Sequence, residues 1–206
     1  MRIRLACIVE GHGETSAVPV LLRRMAAAIK GSHIELQIPH PIRLPRSKLS
    51  MPGKLENAIQ LAAAKVAPTG GLLILMDADE DCPATLAPAL VARARAARAD
   101  LPVAVVLPKR EFESWFLASA ESFRDRFRLP GDLHAPVDPE EIGGAKEWLR
   151  DRLASGNYSP TLDQPALAAI FDLQQARVAP SFDKLWREME RLLTVLGELQ
   201  TPEPPA

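Results

Sequence analysis

Acidic side chains recur in this sequence at the points where short apolar runs end. Glu10-Gly11-His12-Gly13-Glu14 follows the run at 3–9, Asp77-Ala78-Asp79-Glu80-Asp81 follows 72–76, and Lys109-Arg110-Glu111-Phe112-Glu113 follows 103–107. Carboxylates gathered at one place repel one another unless a cation lies among them, and a hard divalent ion with oxygen ligands, Mg²⁺ or Mn²⁺, is the natural partner. Asp77 and Asp79 form the sharpest pair, because positions i and i+2 near a strand end can both turn toward one edge. Glu10 closes its run just before a glycine, which places it at the same edge. These three are the candidate metal ligands. The competing reading of 77–81 is an ordinary acidic turn ahead of a helix. An EF-hand loop is excluded, since its sixth position is Cys82 instead of Gly and its twelfth is Pro88 instead of Glu.

Several neighbours supply the other parts of a reaction. Glu10 is equally suited to proton transfer, and Glu113, set among Phe112, Trp115 and Phe116, is a candidate acid in a desolvated position. Glu111 and Glu113 are expected on different sides of the helix that follows, with Glu113 the preferred one. Lys109 and Arg110 can neutralise a phosphate or steady the carboxylates, and a solvated cap is the plain alternative. Arg43, Arg46 and Lys48, with Lys54, form a basic segment suited to a nucleic-acid backbone; a solvated loop accounts for them equally well. Glu14 is expected to stabilise a helix start, and His12 to be a turn residue. Gly11 and Gly13 could admit a phosphate to a helix N-terminus, but the segment is neither a dinucleotide fingerprint nor a P-loop. Lys146 and Lys184 are weaker candidates. Ser181-Phe182-Asp183-Lys184 imitates the Ser-x-x-Lys of acyl-enzymes without the companion motifs, and is set aside.

Those residues need a frame that brings them together. Residues 3–9, 34–38, 72–76 and 103–107 read as strands, and 15–29, 54–66 and 86–99 as the helices between them. Pro88 then falls in a first turn, where it is tolerated. A β-α-β-α-β-α-β order implies a parallel sheet with right-handed crossovers. Residues just past the strand ends of such a sheet gather along one edge, where these folds place their ligands. From Phe112 onward the pattern is helical, over 112–120, 144–153, 164–177 and 181–199. In the last helix Phe182, Leu185, Trp186, Met189, Leu193 and Leu196 form one apolar stripe, expected to pack on the sheet.

Composition narrows the classes. With 206 residues, 47% of them hydrophobic, the chain can bury a sizeable core, and a net charge of −1 gives no global basic field, so any nucleic-acid contact must be local. Cys7 and Cys82 stand far apart with no ligand spacing, so neither a disulfide framework nor a zinc site is expected, and a reducing, cytoplasmic setting is. The first apolar run is too short for a signal peptide, and no stretch approaches the ~20 residues that cross a bilayer.

The combination Ile8-Val9-Glu10-Gly11-His12-Gly13-Glu14 with Leu75-Met76-Asp77-Ala78-Asp79, in this layout, resembles the Toprim fold. It looks most like the DUF4276 family, for which Arg110-Glu111-Phe112-Glu113-Ser114-Trp115-Phe116-Leu117-Ala118 is a further match. The resemblance implies an α/β Toprim-like core of about four parallel strands over 1–118; the helical pattern beyond it gives an extension over 119–199 expected to pack on that core, and the closing Thr-Pro-Glu-Pro-Pro-Ala a disordered tail over 200–206. The resemblance also implies Mg²⁺-dependent phosphoryl transfer on DNA or RNA, as in OLD-type nucleases. Glu10 would match the family glutamate that acts as acid, base or ligand, Asp77 and Asp79 the metal-binding Asp-x-Asp, and Glu113 an additional acid of this branch.

The departures from that family are informative. The one tyrosine, Tyr158, lies beyond the Toprim region, and neither a primase zinc module nor a Walker motif is present, so hydrolysis by water is the expected chemistry. A partner ATPase is implied by the likeness to defence-associated nuclease modules. The competing reading is a non-catalytic nucleotide- or metal-binding sensor. A phosphatase of the HAD type would need its Asp-x-Asp after the first strand, and here it follows the third.

Overall fold

The computed structural model describes residues 1–200, and the tail expected at the C-terminus lies outside them apart from Gln200. The chain opens with β1 (Arg2–Val9) and α1 (Glu14–Lys30), followed by the short strands β2 (Glu35–Gln37) and β3 (Ile42–Arg43) and by α2 (Arg46–Leu49). Then come α3 (Lys54–Ala64), β4 (Gly71–Leu75), α4 (Pro83–Ala97) and β5 (Val103–Val106). The remainder is helical: α5 (Ser114–Leu117), α6 (Arg124–Phe127), α7 (Ala145–Arg152), α8 (Pro160–Ala168) and α9 (Pro180–Glu198), with short 3₁₀ turns between them. Among the described residues no helix is long and apolar enough to cross a membrane.

The fold is α/β, built on a parallel sheet in the order β2-β1-β4-β5. β1 is central. It pairs with β4 from Leu5↔Gly71 to Val9↔Leu75, and its other side is shared by β2, at Arg2↔Glu35, and β3, at Ile8↔Ile42. β4 in turn pairs with β5 from Leu72↔Val103 to Leu75↔Val106. Since all pairings are parallel, the strands deliver their C-terminal residues to one edge.

Period-two alternation divides the sheet residues between two cores. Leu5, Cys7, Val9, Leu73, Leu75, Ala104 and Val106 face one cluster with α1 and the C-terminal helices. Ala6, Ile8, Leu72, Ile74, Val103 and Val105 face the other with α3 and α4. Gly-Leu-Leu-Ile-Leu of β4 is buried throughout because both of its faces are covered. The helical half packs on the first face: the α9 stripe of Phe182, Leu185, Trp186, Met189, Leu193 and Leu196 belongs to that core. An edge-to-face aromatic chain joins it to the segment after β5, with Trp115 5.3 Å from Phe182, Phe182 5.6 Å from Phe171 and Phe171 5.3 Å from Phe116.

Several details differ from the sequence reading, among them the helix expected over 112–120, which is only the short α5. The basic segment after the second strand contains β3 and α2 instead of a plain loop, because Ile42 and Leu44 have room beside the end of β1. α4 begins at Pro83, so Pro88 lies inside the helix and not in its first turn. The helix expected over 164–177 is instead α8, which starts at Pro160 and stops at Ala168; Pro160 holds the first position, where its missing N–H is harmless.

Candidate functional site

Four carboxylates meet where β1, β4 and β5 end. Glu14, in the first turn of α1, is 4% exposed and folds back on its own turn, accepting the Glu10 N–H at 3.0 Å and the Gly11 N–H at 3.2 Å. Asp77, just beyond β4, is 9% exposed and accepts the Phe112 N–H at 2.8 Å, which ties the ends of β4 and β5 together. Glu113 is fully buried. One of its oxygens accepts the Tyr158 hydroxyl at 3.0 Å and the Gln164 amide at 2.8 Å; the other lies 3.3 Å from Lys146 Nζ. Glu10 is half-buried, and its Oε2 is buried with no hydrogen-bond partner.

Proximity shows in the proton affinities. Burial raises the Glu14 carboxyl to about 7, with the charges of Glu113 and Glu10 adding to it and the Glu10 and Gly11 amides opposing. Asp77 is pushed well above the usual carboxylate range by burial first, then by Glu14 and Glu113. Glu10 is raised by burial and by Asp79, with Arg46 and two backbone amides working against the rise. Lys146 shows the reverse balance: burial would lower its ammonium, but Glu113, Asp77 and Glu111 outweigh that and hold it above the ordinary lysine range. Carboxylates that resist ionisation together are the signature of like charge gathered in a desolvated place.

Asp77 and Asp79 part company. Asp77 turns inward, whereas Asp79 takes a left-handed backbone (φ 49°), forms an antiparallel bridge with Arg110 (φ 62°) and exposes its side chain. There Arg46 lies 3.4 Å from it and also reaches Asp81. Arg46 further donates to the Asp77 carbonyl at 2.7 Å, so this residue organises the acidic turn instead of standing free for a ligand. Glu10 lies within electrostatic reach of both aspartates, and the edge is one connected field.

The remaining candidates are placed as follows. Lys109 pairs with Glu141, and its N–H meets Ser181 Oγ at 3.3 Å. Arg110 pairs with Glu80 at 3.1 Å. Arg43, Lys48 and Lys54 are exposed. Glu111 and Glu113 both reach Lys146, at 3.2 and 3.3 Å, where different sides were expected. The reason is that α5 begins only at Ser114, so the two glutamates precede the helix and are not bound by its periodicity. Ser181 is buried, accepts the Trp115 indole N–H at 2.7 Å and bonds to Glu140, a structural post in keeping with setting the Ser-x-x-Lys pattern aside. No phosphate path runs over Gly13, since a Cβ there would stand 2.3 Å from the Pro160 carbonyl and 2.1 Å from Gln164 Oε1; α8 occupies that space.

Glu14, Lys146, Tyr158 and Gln164 are the members that sequence reasoning missed or ranked low. Glu14 carried the signal of a favourable first-turn acid and nothing more. The other three come from α7, α8 and the loop before α8, more than thirty positions beyond the sheet motifs, and only packing brings them to Glu113.

A parallel α/β sheet with a buried acidic cluster at its C-terminal edge and a helical half closing over it is the class that fold and site define. Within that class, the family model for a domain of unknown function (DUF4276) matches residues 9–190, and the chain belongs to that family. No curated protein and no solved structure matches it.

As a donor set the edge would suit a hard cation: every candidate donor is a carboxylate oxygen, and Glu10 Oε2 and Glu113 Oε2 are buried without a hydrogen-bond partner. Among the described residues, no three His, Cys, Asp or Glu side chains yet stand in a coordinating arrangement. Positive charge reaches Glu113 and Asp77 from the Lys146 ammonium, and Glu10 from Arg46.

Proposed function

We propose that this protein is a divalent-metal-dependent phosphoryl-transfer enzyme with a Toprim-like core, acting as a nuclease on DNA or RNA. The observation that carries this reading is the cluster of buried Glu14, Asp77 and Glu113 with half-buried Glu10 at the edge where a parallel sheet presents its ligands. Glu10, Asp77 and Asp79 would hold Mg²⁺ or Mn²⁺, which when bound polarises a phosphodiester and stabilises the leaving oxygen. Glu10, half-buried at the same edge, is the carboxylate placed to take a proton from attacking water if it is not itself a ligand. Lys109 and Arg110 lie beside the same edge, each held by a surface glutamate that a phosphate can displace. The exposed Arg43 and Lys48 steer a nucleic-acid backbone, with Arg46 shaping the turn between them and the acids. Such binding weakens steeply with salt. A cytoplasmic setting and a partner ATPase belong to the same proposal.

The test is cleavage of labelled DNA and RNA with Mg²⁺ or Mn²⁺, with and without a candidate ATPase, by the wild-type protein and by Asp77→Ala and Glu10→Ala. Metal-dependent cleavage is expected from the wild type, with a fall of about 10²-fold or more in each variant, the scale of losing a proton-transfer or charge-stabilising group. Cleavage by none of them under any of these conditions rejects the enzyme. The second reading, a non-catalytic nucleotide or metal sensor, draws on the pairing of Arg46, Lys109 and Arg110 with acids of the chain itself. It is favoured if ion binding persists without cleavage.

A further inference from the structure

We propose that Lys146 is the resident counter-ion of the acidic edge: its ammonium, between Glu111 and Glu113, neutralises Asp77 in the metal-free protein and must withdraw for a divalent cation to take Asp77 as a ligand, so that the helical extension sets the metal affinity of the site. This rests on the metal-dependent reading above. Lys146 Nζ lies 3.2 Å from Glu111 Oε1 and 3.3 Å from Glu113 Oε2, and its field reaches Asp77. Of the other cations along the edge, Arg46 binds the Asp77 carbonyl, Asp79 and Asp81 and acts on Glu10, while Lys109 is turned to Glu141 and Arg110 to Glu80. Lys146 is therefore the cation that faces Asp77 and Glu113 together. Its ammonium sits between Glu111 and Glu113 with Asp77 in its field, so the inner part of the acidic edge is arranged around a positive charge.

The local structure allows withdrawal. The Lys146 side chain is 35% exposed, so a route to water is open. Its backbone is anchored separately, by an N–H donated to Glu111 Oε2 at 3.3 Å just after Gly144 turns the chain at φ 72°. The flexible stem can therefore swing out while α7 stays in place, which suits a compact point charge on four methylenes. Glu113 keeps its Tyr158 and Gln164 bonds on the other oxygen and does not need to move.

The alternative role is purely structural, with Lys146 closing the contact between α7 and the segment before α5. The two roles oppose each other in metal affinity. Mn²⁺ is titrated calorimetrically into the full chain, into Lys146→Met, and into Glu111→Gln, which keeps the lysine but removes one of its anchors. Lys146→Met is expected to bind Mn²⁺ about tenfold more tightly, as when the wild-type site is open in about one molecule in ten. Its metal-free melting temperature should fall, and Mn²⁺ should raise it by more than in the wild type. Glu111→Gln should shift affinity in the same direction by less, and it carries the test if Lys146→Met does not fold. Unchanged or weaker Mn²⁺ binding in folded Lys146→Met overturns the proposal while leaving the metal site standing. No Mn²⁺ binding by any of the three proteins overturns the metal reading itself.

Discussion

Glu14 holds its carboxyl against two backbone amides in a buried place where Glu113 and Glu10 press on it, and its titration should govern how stability responds to pH. In the folded chain it keeps its proton up to about pH 7, against an ordinary value of 4.5. Between those values the folded state binds more protons than the unfolded one, so each rise in pH favours unfolding. Asp77, raised for the same reasons, acts in the same direction. The metal-free protein is therefore expected to melt on the order of 5 °C lower at pH 8 than at pH 5.5, and Glu14→Gln should flatten that dependence. Thermal melts of both proteins across this range check it; a melting temperature that climbs with pH contradicts the placement of Glu14. At this scale Glu10 and Asp77 were legible in the sequence, because each ends an apolar run. The inward turn of Asp77 and the outward turn of Asp79 were not, since they depend on a left-handed backbone at Asp79 bridged to Arg110.

Elements in this protein were legible in proportion to how regular their burial is. β1, β4 and β5 lie near the runs at 3–9, 72–76 and 103–107, because period-two contact with two cores leaves an unbroken apolar pattern. α9 was equally plain from its stripe. β3 and α2 escaped notice: two residues of strand and four of helix have no periodicity, and they form through neighbours at the end of β1. The start of α8 escaped as well, and it matters for the site, because Pro160 and Gln164 lie directly over Gly13. That contact leaves no space for a methyl group. Gly13→Ala is expected to destabilise the protein by about 1–3 kcal/mol through overpacking, whereas Gly131→Ala, with nothing near its Cβ position, should not. Chemical denaturation of the two variants compares them; equal stability would mean that α8 does not close over the start of α1.

Across the whole molecule, the C-terminal helices do more than cover one face of the sheet. They share its larger core, and through Lys146, Tyr158 and Gln164 they complete the surroundings of Glu113. The division into a sheet half and a helical half was visible from the change of pattern after residue 112. Their joint ownership of the acidic edge was not, because contacts between distant segments leave no spacing to read. The central claim is that this shared edge holds a divalent cation. It is tested most directly by soaking crystals of the protein in Mn²⁺ and calculating an anomalous difference map. The account expects a peak among the carboxylates of Glu10, Asp77 and Asp79, with the Lys146 ammonium displaced from Glu113. A protein that stays ordered in saturating Mn²⁺ with no peak at that edge, or with Mn²⁺ bound only elsewhere, would contradict it.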